Sequence, residues 1–143
     1  MSRAFVFPGQ GAQTIGMGRE LAAAYPGAKA VFDEVDEALG ERLSALIWEG
    51  DIAELTLTAN AQPALMATSL AAMRALEAEG IAVTDAAFVA GHSLGEYSAL
   101  AAAQALSLAD TARLLGVAEG TVKSRCARAR DSLAALLHPR EPD

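Results

Sequence analysis

The chain has 143 residues, a length that suits one domain, and 52 % of them are apolar, enough to bury a core. Charged residues make up 20 % and aromatics 5 %, a composition that sets aside disordered and fibrous classes. The net charge of −7 argues against nucleic-acid binding over the whole surface.

The charge is unevenly spread. Residues 1–115 carry 6 Lys/Arg against 14 Asp/Glu, and residues 116–143 carry 5 against 4. Thr121 to Arg130 holds Lys123, Arg125, Arg128 and Arg130 with no acid. Such asymmetry belongs either to a solvated helix face or to a second module. The single cysteine, Cys126, excludes an intramolecular disulfide. The apolar run after Ser2-Arg3 is too short for a signal-peptide core, and no run approaches the ~18 apolar residues of a membrane span. A cytoplasmic protein with no membrane partner is the expectation.

Ala4-Phe5-Val6-Phe7 ends at Pro8-Gly9 and reads as a buried strand. A glycine-rich loop, Gly9-Gln10-Gly11-Ala12-Gln13, follows. Helical patterning covers Leu21–Ala24 and, after Pro26-Gly27, Ala28–Leu39, with Gly40 as the stop. Leu43–Trp48 is a further short helix, broken by Gly50-Asp51. Ala61–Glu79 is the longest periodic segment, with Leu65, Leu70, Met73 and Leu76 at helical spacing. Asn60 or Thr58 is the expected cap at its start, and Gly80 lies at its end. Ala86–Ala90 reads as a second buried strand, followed by helical sequence to Gln104 and a helix over Leu108–Leu115 ended by Gly116. A last helix is expected from about Thr121 to Leu137, before a loose tail with two prolines. Alternating strand and helix places the chain in the α/β class with a parallel sheet.

Gly91-x-Ser93-x-Gly95 falls between a predicted strand and a predicted helix, the context of a nucleophile elbow. In such a turn side chains near the serine clash, so glycine is needed on both sides. The serine then meets the N-terminus of the next helix, where N–H groups and the dipole favour an oxyanion. The competing reading is an ordinary turn with a capping serine. A serine nucleophile needs a base. His92 adjoins Ser93 and points away on a sharp turn, and His138 lies in the tail, so neither histidine suits. The Gly9-Gln10-Gly11 loop can bring backbone N–H groups to a ligand, or it can simply turn the chain into its first helix.

Together these motifs carry a resemblance. Phe5-Val6-Phe7-Pro8-Gly9-Gln10-Gly11-Ala12-Gln13, Gln62-Pro63-Ala64-Leu65 and Gly91-His92-Ser93-Leu94-Gly95-Glu96-Tyr97-Ser98-Ala99-Leu100 resemble, in order and spacing, signatures of the malonyl-CoA:acyl-carrier-protein transacylases over residues 3–115. Acyltransferase domains of polyketide synthases are close relatives of that family. The resemblance implies ping-pong chemistry at Ser93, with malonyl-CoA as substrate, an acyl carrier protein as partner, no bound cofactor and no metal. It implies an elbow of Gly91, His92 and Gly95, and an oxyanion hole from Gln10 and the Leu94 N–H. The chain departs from the family in length, members being about twice as long. It has no residue matching the downstream base histidine. The position of the arginine that grips malonyl falls at Ala118, and Arg113 matches a different position. Impaired turnover is the expectation.

Ala109 to Arg125 also resembles the helix-turn-helix of extracytoplasmic-function sigma factors, with a turn at Gly116 and a basic second helix. That resemblance makes Thr121, Lys123, Ser124, Arg125 and Arg128 candidate contacts to duplex DNA. The plainer reading is an amphipathic basic helix packing Val122, Leu133, Leu136 and Leu137 on the body. The expected architecture is thus an incomplete α/β-hydrolase-like acyltransferase core with parallel strands over 1–115, followed by a helix-turn-helix-like segment over 116–143. The seam lies within 109–115. The alternatives to a transacylase are a DNA-binding module on an inert fragment and a non-functional chimera.

Overall fold

Two short strands, β1 (Ala4–Phe7) and β2 (Phe88–Gly91), pair in parallel, with Ala4 opposite Phe88 and Phe7 opposite Gly91. The protein is described by a computed structural model over residues 2–116. Parallel strands cannot be joined by a hairpin, so a crossover must connect them. Here the crossover is the body of the molecule: α1 (Arg19–Ala24), α2 (Pro26–Leu39), α3 (Leu43–Glu49), α4 (Ile52–Thr56), α5 (Thr58–Ala78) and a 3₁₀ turn over Val83–Asp85. After β2 come α6 (Gly95–Ala102) and α7 (Leu108–Leu115).

The α2 helix shows why these segments are helical. Pro26 takes the first helical position, where its missing N–H costs nothing, and Gly40 closes the helix at φ 69°. Ala28, Val31, Phe32 and Val35, at helical spacing, form its buried stripe. That stripe packs against α5, whose buried residues include Ala64, Leu65, Met66, Ala67, Leu70, Ala71 and Met73. They cover more of the circumference than one stripe, so α5 is the central helix. Phe32 also meets Trp48 edge to face, with ring centroids 5.0 Å apart. Asp36 ties α2 to α3 by accepting from the Ser44 N–H at 2.9 Å and from its hydroxyl.

Several boundaries differ from expectation. The Gly50-Asp51 break also starts a helix, because the Asp51 carboxylate accepts from the N–H groups of Ala53 (2.8 Å) and Glu54 (3.2 Å). Neither Thr58 nor Asn60 caps α5. Thr58 is already helical behind Leu57, and the Asn60 amide donates to the Glu54 carbonyl at 2.9 Å, linking α5 to α4. The α6 helix stops at Ala102 rather than Gln104, whose φ is +60°. Ser107, unassigned in sequence, caps α7 by accepting from the Asp110 N–H at 3.1 Å.

Nor are the strands buried on both faces. Phe5, Phe7 and Val89 face the helices, whereas Val6 is 74 % and Phe88 73 % exposed. The apolar runs look like buried strands because both faces carry apolar side chains, but among the described residues only one face is covered. The expected last helix and the DNA contacts Thr121, Lys123, Ser124, Arg125 and Arg128 lie outside the described residues.

Phe32 is 1 % exposed at the crossing of α2, α3 and α5. Phe32→Ala is expected to lower unfolding stability by about 3–5 kcal/mol in urea titration. A loss below about 1 kcal/mol would show that this crossing is not the core.

Candidate active site

The parallel register decides what stands next to what. With Phe7 opposite Gly91, the segments leaving the two strands emerge side by side, and the His92 N–H donates to the Phe7 carbonyl at 3.3 Å. The glycine-rich loop and the serine turn therefore share the carboxyl end of the sheet, the edge at which α/β sheets place their ligands.

Ser93 sits at φ +55°, left-handed backbone that costs a side-chain-bearing residue of order 1 kcal/mol or more. The flanking glycines are required by close approach. A Cβ on Gly91 would run into the backbone of Gly95 and Glu96. A Cβ on Gly95 would run into the Phe7 carbonyl and come within 3.0 Å of the Pro8 oxygen. The turn is held by bonds from the Gly95 N–H to His92 O (2.9 Å) and from the Glu96 N–H to Ser93 O (3.0 Å). Leu94, 2 % exposed, anchors it in the core. The Ser93 side chain stands exposed at the top.

Among the described residues no hydrogen bond engages the Leu94 N–H or the Ser93 hydroxyl. The first turn of α6 begins immediately beyond; its Gly95, Glu96 and Tyr97 N–H groups bond back to the carbonyls of His92, Ser93 and Leu94, and Glu96 matches the usual polarity of a helix start. Such an arrangement can bind a developing anion at the serine.

His92 does not serve as a base for its neighbour by default. Its ring lies back over the glycine-rich loop, with Nδ1 3.0 Å from where a Gly9 Cβ would be. Gln10 occupies that loop at the same end of the sheet. Its amide donates to the Thr58 hydroxyl at 3.3 Å, which leaves its second N–H available. Thr58 went unnoticed in the sequence as a partner of Gln10, and no local signal marks a contact across 48 positions. Ser98 also went unnoticed: it is fully buried in α6, and its hydroxyl has no partner among the described residues. Arg113 is held by Asp110 at 3.1 Å on the exposed side of α7. Among the described residues no three of His, Cys, Asp and Glu converge on a metal position. No described helix is long and apolar enough to cross a membrane.

The family model of the acyl transferase domain matches residues 4–142. The chain belongs to that family. The match runs through the expected seam at 109–115 and across the segment read as a helix-turn-helix, which gains no support from it. The malonyl CoA-acyl carrier protein transacylase of Bacillus subtilis (strain 168) is 60 % identical over 107 residues, covering 75 % of this chain and 33 % of its own length. That of Escherichia coli (strain K12) is 41 % identical over 134 residues, covering 94 % of this chain and 43 % of its own. The fold is likewise similar to the crystal structure of acyl-carrier-protein-S-malonyltransferase from Bartonella henselae. That similarity has a TM-score of 0.79 at 60 % identity, over 81 % of this chain and 37 % of that one. A malonyl-transacylase in complex with a type II polyketide acyl-carrier protein aligns with a TM-score of 0.76 at 41 % identity, over 81 % of this chain and 37 % of that one. The acyl transferase chain thus spans between a third and somewhat over two fifths of the curated relatives' length.

The left-handed backbone at Ser93 makes a test of the elbow. Ser93→Gly is expected to be more stable than Ser93→Ala by about 0.5–1 kcal/mol, since only glycine adopts this φ without strain. The reverse order in thermal melts would show that the turn is not formed in solution.

Proposed function

We propose that Ser93 accepts a malonyl group from malonyl-CoA and passes it to the phosphopantetheine thiol of an acyl carrier protein. The single observation that carries this reading is the strained elbow: Ser93 at φ +55° between two glycines that admit no Cβ, at the start of a helix. In the first half-reaction the Ser93 oxygen adds to the thioester carbonyl. The carbon–sulfur bond then breaks, coenzyme A leaves as thiol, and a malonyl ester remains. The second half-reaction reverses this with the carrier's thiol. In this reading the Leu94 N–H and the Gln10 side-chain amide bind the oxyanion, and such a donor is typically worth ~2.7–4 kcal/mol at the transition state.

The serine proton needs an acceptor, and among the described residues the nearest histidine, His92, is turned toward Gly9. Duplex DNA binding through Thr121, Lys123, Ser124, Arg125 and Arg128 is the alternative, resting on the charge pattern alone. The family match over the same stretch favours the acyltransferase reading.

The test is the intact mass of the protein after incubation with malonyl-CoA. A malonyl adduct is expected on the parent and absent on Ser93→Ala. Equal labelling of both removes Ser93 from the chemistry. Acetyl-CoA is expected to label as fast as malonyl-CoA within about threefold, because the place of the carboxylate-gripping arginine falls at Ala118. A strong malonyl preference overturns that expectation.

A further inference from the structure

Gln10 lies exposed in the loop, between two glycines that offer no side chain to fence it. A Cβ on Gly11 would meet nothing within 4 Å, so the space on that side is open. A glutamine in such a place has many rotamers, and fixing one of them costs side-chain entropy. Two contacts restrain it. The Gly11 N–H donates to the Gln13 side-chain oxygen at 2.8 Å, which folds the loop on itself. The Gln10 amide donates to the Thr58 hydroxyl at 3.3 Å, and among the described residues this is the one hydrogen bond that holds the side chain.

Thr58 is well placed to hold a mobile group. It is the first residue of α5, the central helix of the core. The backbone there is fixed by the Ala61 N–H bonding to the Leu57 carbonyl at 2.8 Å and by the Asn60 amide bonding to the Glu54 carbonyl at 2.9 Å. Thr58 does not cap the helix, because Leu57 takes the cap position and no side chain caps it. Among the described residues the Thr58 hydroxyl has no partner besides Gln10. The amide group is planar, so holding one of its N–H bonds sets the direction of the other.

We infer that Thr58 is a positioning residue for acyl transfer: its hydroxyl anchors the Gln10 amide to α5, so that the second N–H is already in place when the oxyanion forms. A donor fixed in advance needs no reorganisation as charge develops. The inference rests on the reading of Gln10 as an oxyanion donor to the Ser93 reaction.

Thr58→Val keeps the branched shape and removes the hydroxyl, whereas Thr58→Ser keeps the hydroxyl. The rate of malonyl-ester formation on Ser93 is followed by intact mass at increasing malonyl-CoA. Thr58→Val is expected to lower the maximal rate about tenfold with little change in the half-saturating concentration, a smaller loss than the ~10²–10³-fold that follows removal of a whole donor. Thr58→Ser is expected to restore most of the rate. Gln10→Ala is expected to be slower than Thr58→Val, and the double variant no slower than Gln10→Ala, since Thr58 acts only through Gln10. Proton–nitrogen correlation spectra give a readout that needs no activity. One Gln10 side-chain amide proton is expected to exchange slowly with solvent, and Thr58→Val to release it. Gln10 signals that ignore Thr58→Val overturn the proposal. So does parental labelling by Thr58→Val, and so do additive losses in the double variant, the mark of a purely structural role. A parent chain that gains no adduct, while its Gln10 signals respond to Thr58→Val, supports the anchor and counts against the transacylase reading alone.

Discussion

The parallel pairing of β1 with β2 is the contact on which the candidate site depends. Each strand alone is four residues and could not persist in water. Paired, they set Phe7 against Gly91, and that register brings the glycine-rich loop beside the serine turn. Shifting the register by one residue would turn Phe5 and Phe7 out of the core and separate the loop from the elbow. The helices hold this register: α6 packs on both strands, α5 packs on α6, and α2 and α7 pack on α5.

The elbow shows how local strain is sustained by close packing. Ser93 cannot relax to an ordinary φ, because Leu94 is sunk in the core on one side and the Phe7 carbonyl blocks the space beside Gly95 on the other. The strain presents one hydroxyl to solvent at the end of a helix. That arrangement is costly for folding and useful for a nucleophile. The serine turn leaves the Leu94 N–H without a partner among the described residues, and His92 is turned away toward Gly9.

The two faces of the sheet differ. Its inner face is saturated by Phe5, Phe7 and Val89 packing, while its outer face keeps Val6 and Phe88 in solvent. A parallel pair joined by a helical crossover can form with one layer of helices. Among the described residues one face of this parallel pair is covered by helices and the other is not.

What the sequence determined by itself was local or repeated. The strand ahead of Pro8, the α2 stripe ending at Gly40 and the helical period of α5 were legible because each follows from backbone preference and apolar spacing. The glycine–serine–glycine turn was legible for a related reason, since its residue types answer a steric demand within five positions. The acyl transferase family was legible because three such motifs occur in order. Only the tertiary structure decided the rest. Asn60 bonding back to Glu54, Thr58 meeting Gln10, and His92 lying over Gly9 are contacts between segments that no local pattern links. The bare outer face of the sheet was hidden for the converse reason. A four-residue apolar run has the same composition whether one face of it is covered or two, and only the presence of a second layer distinguishes them.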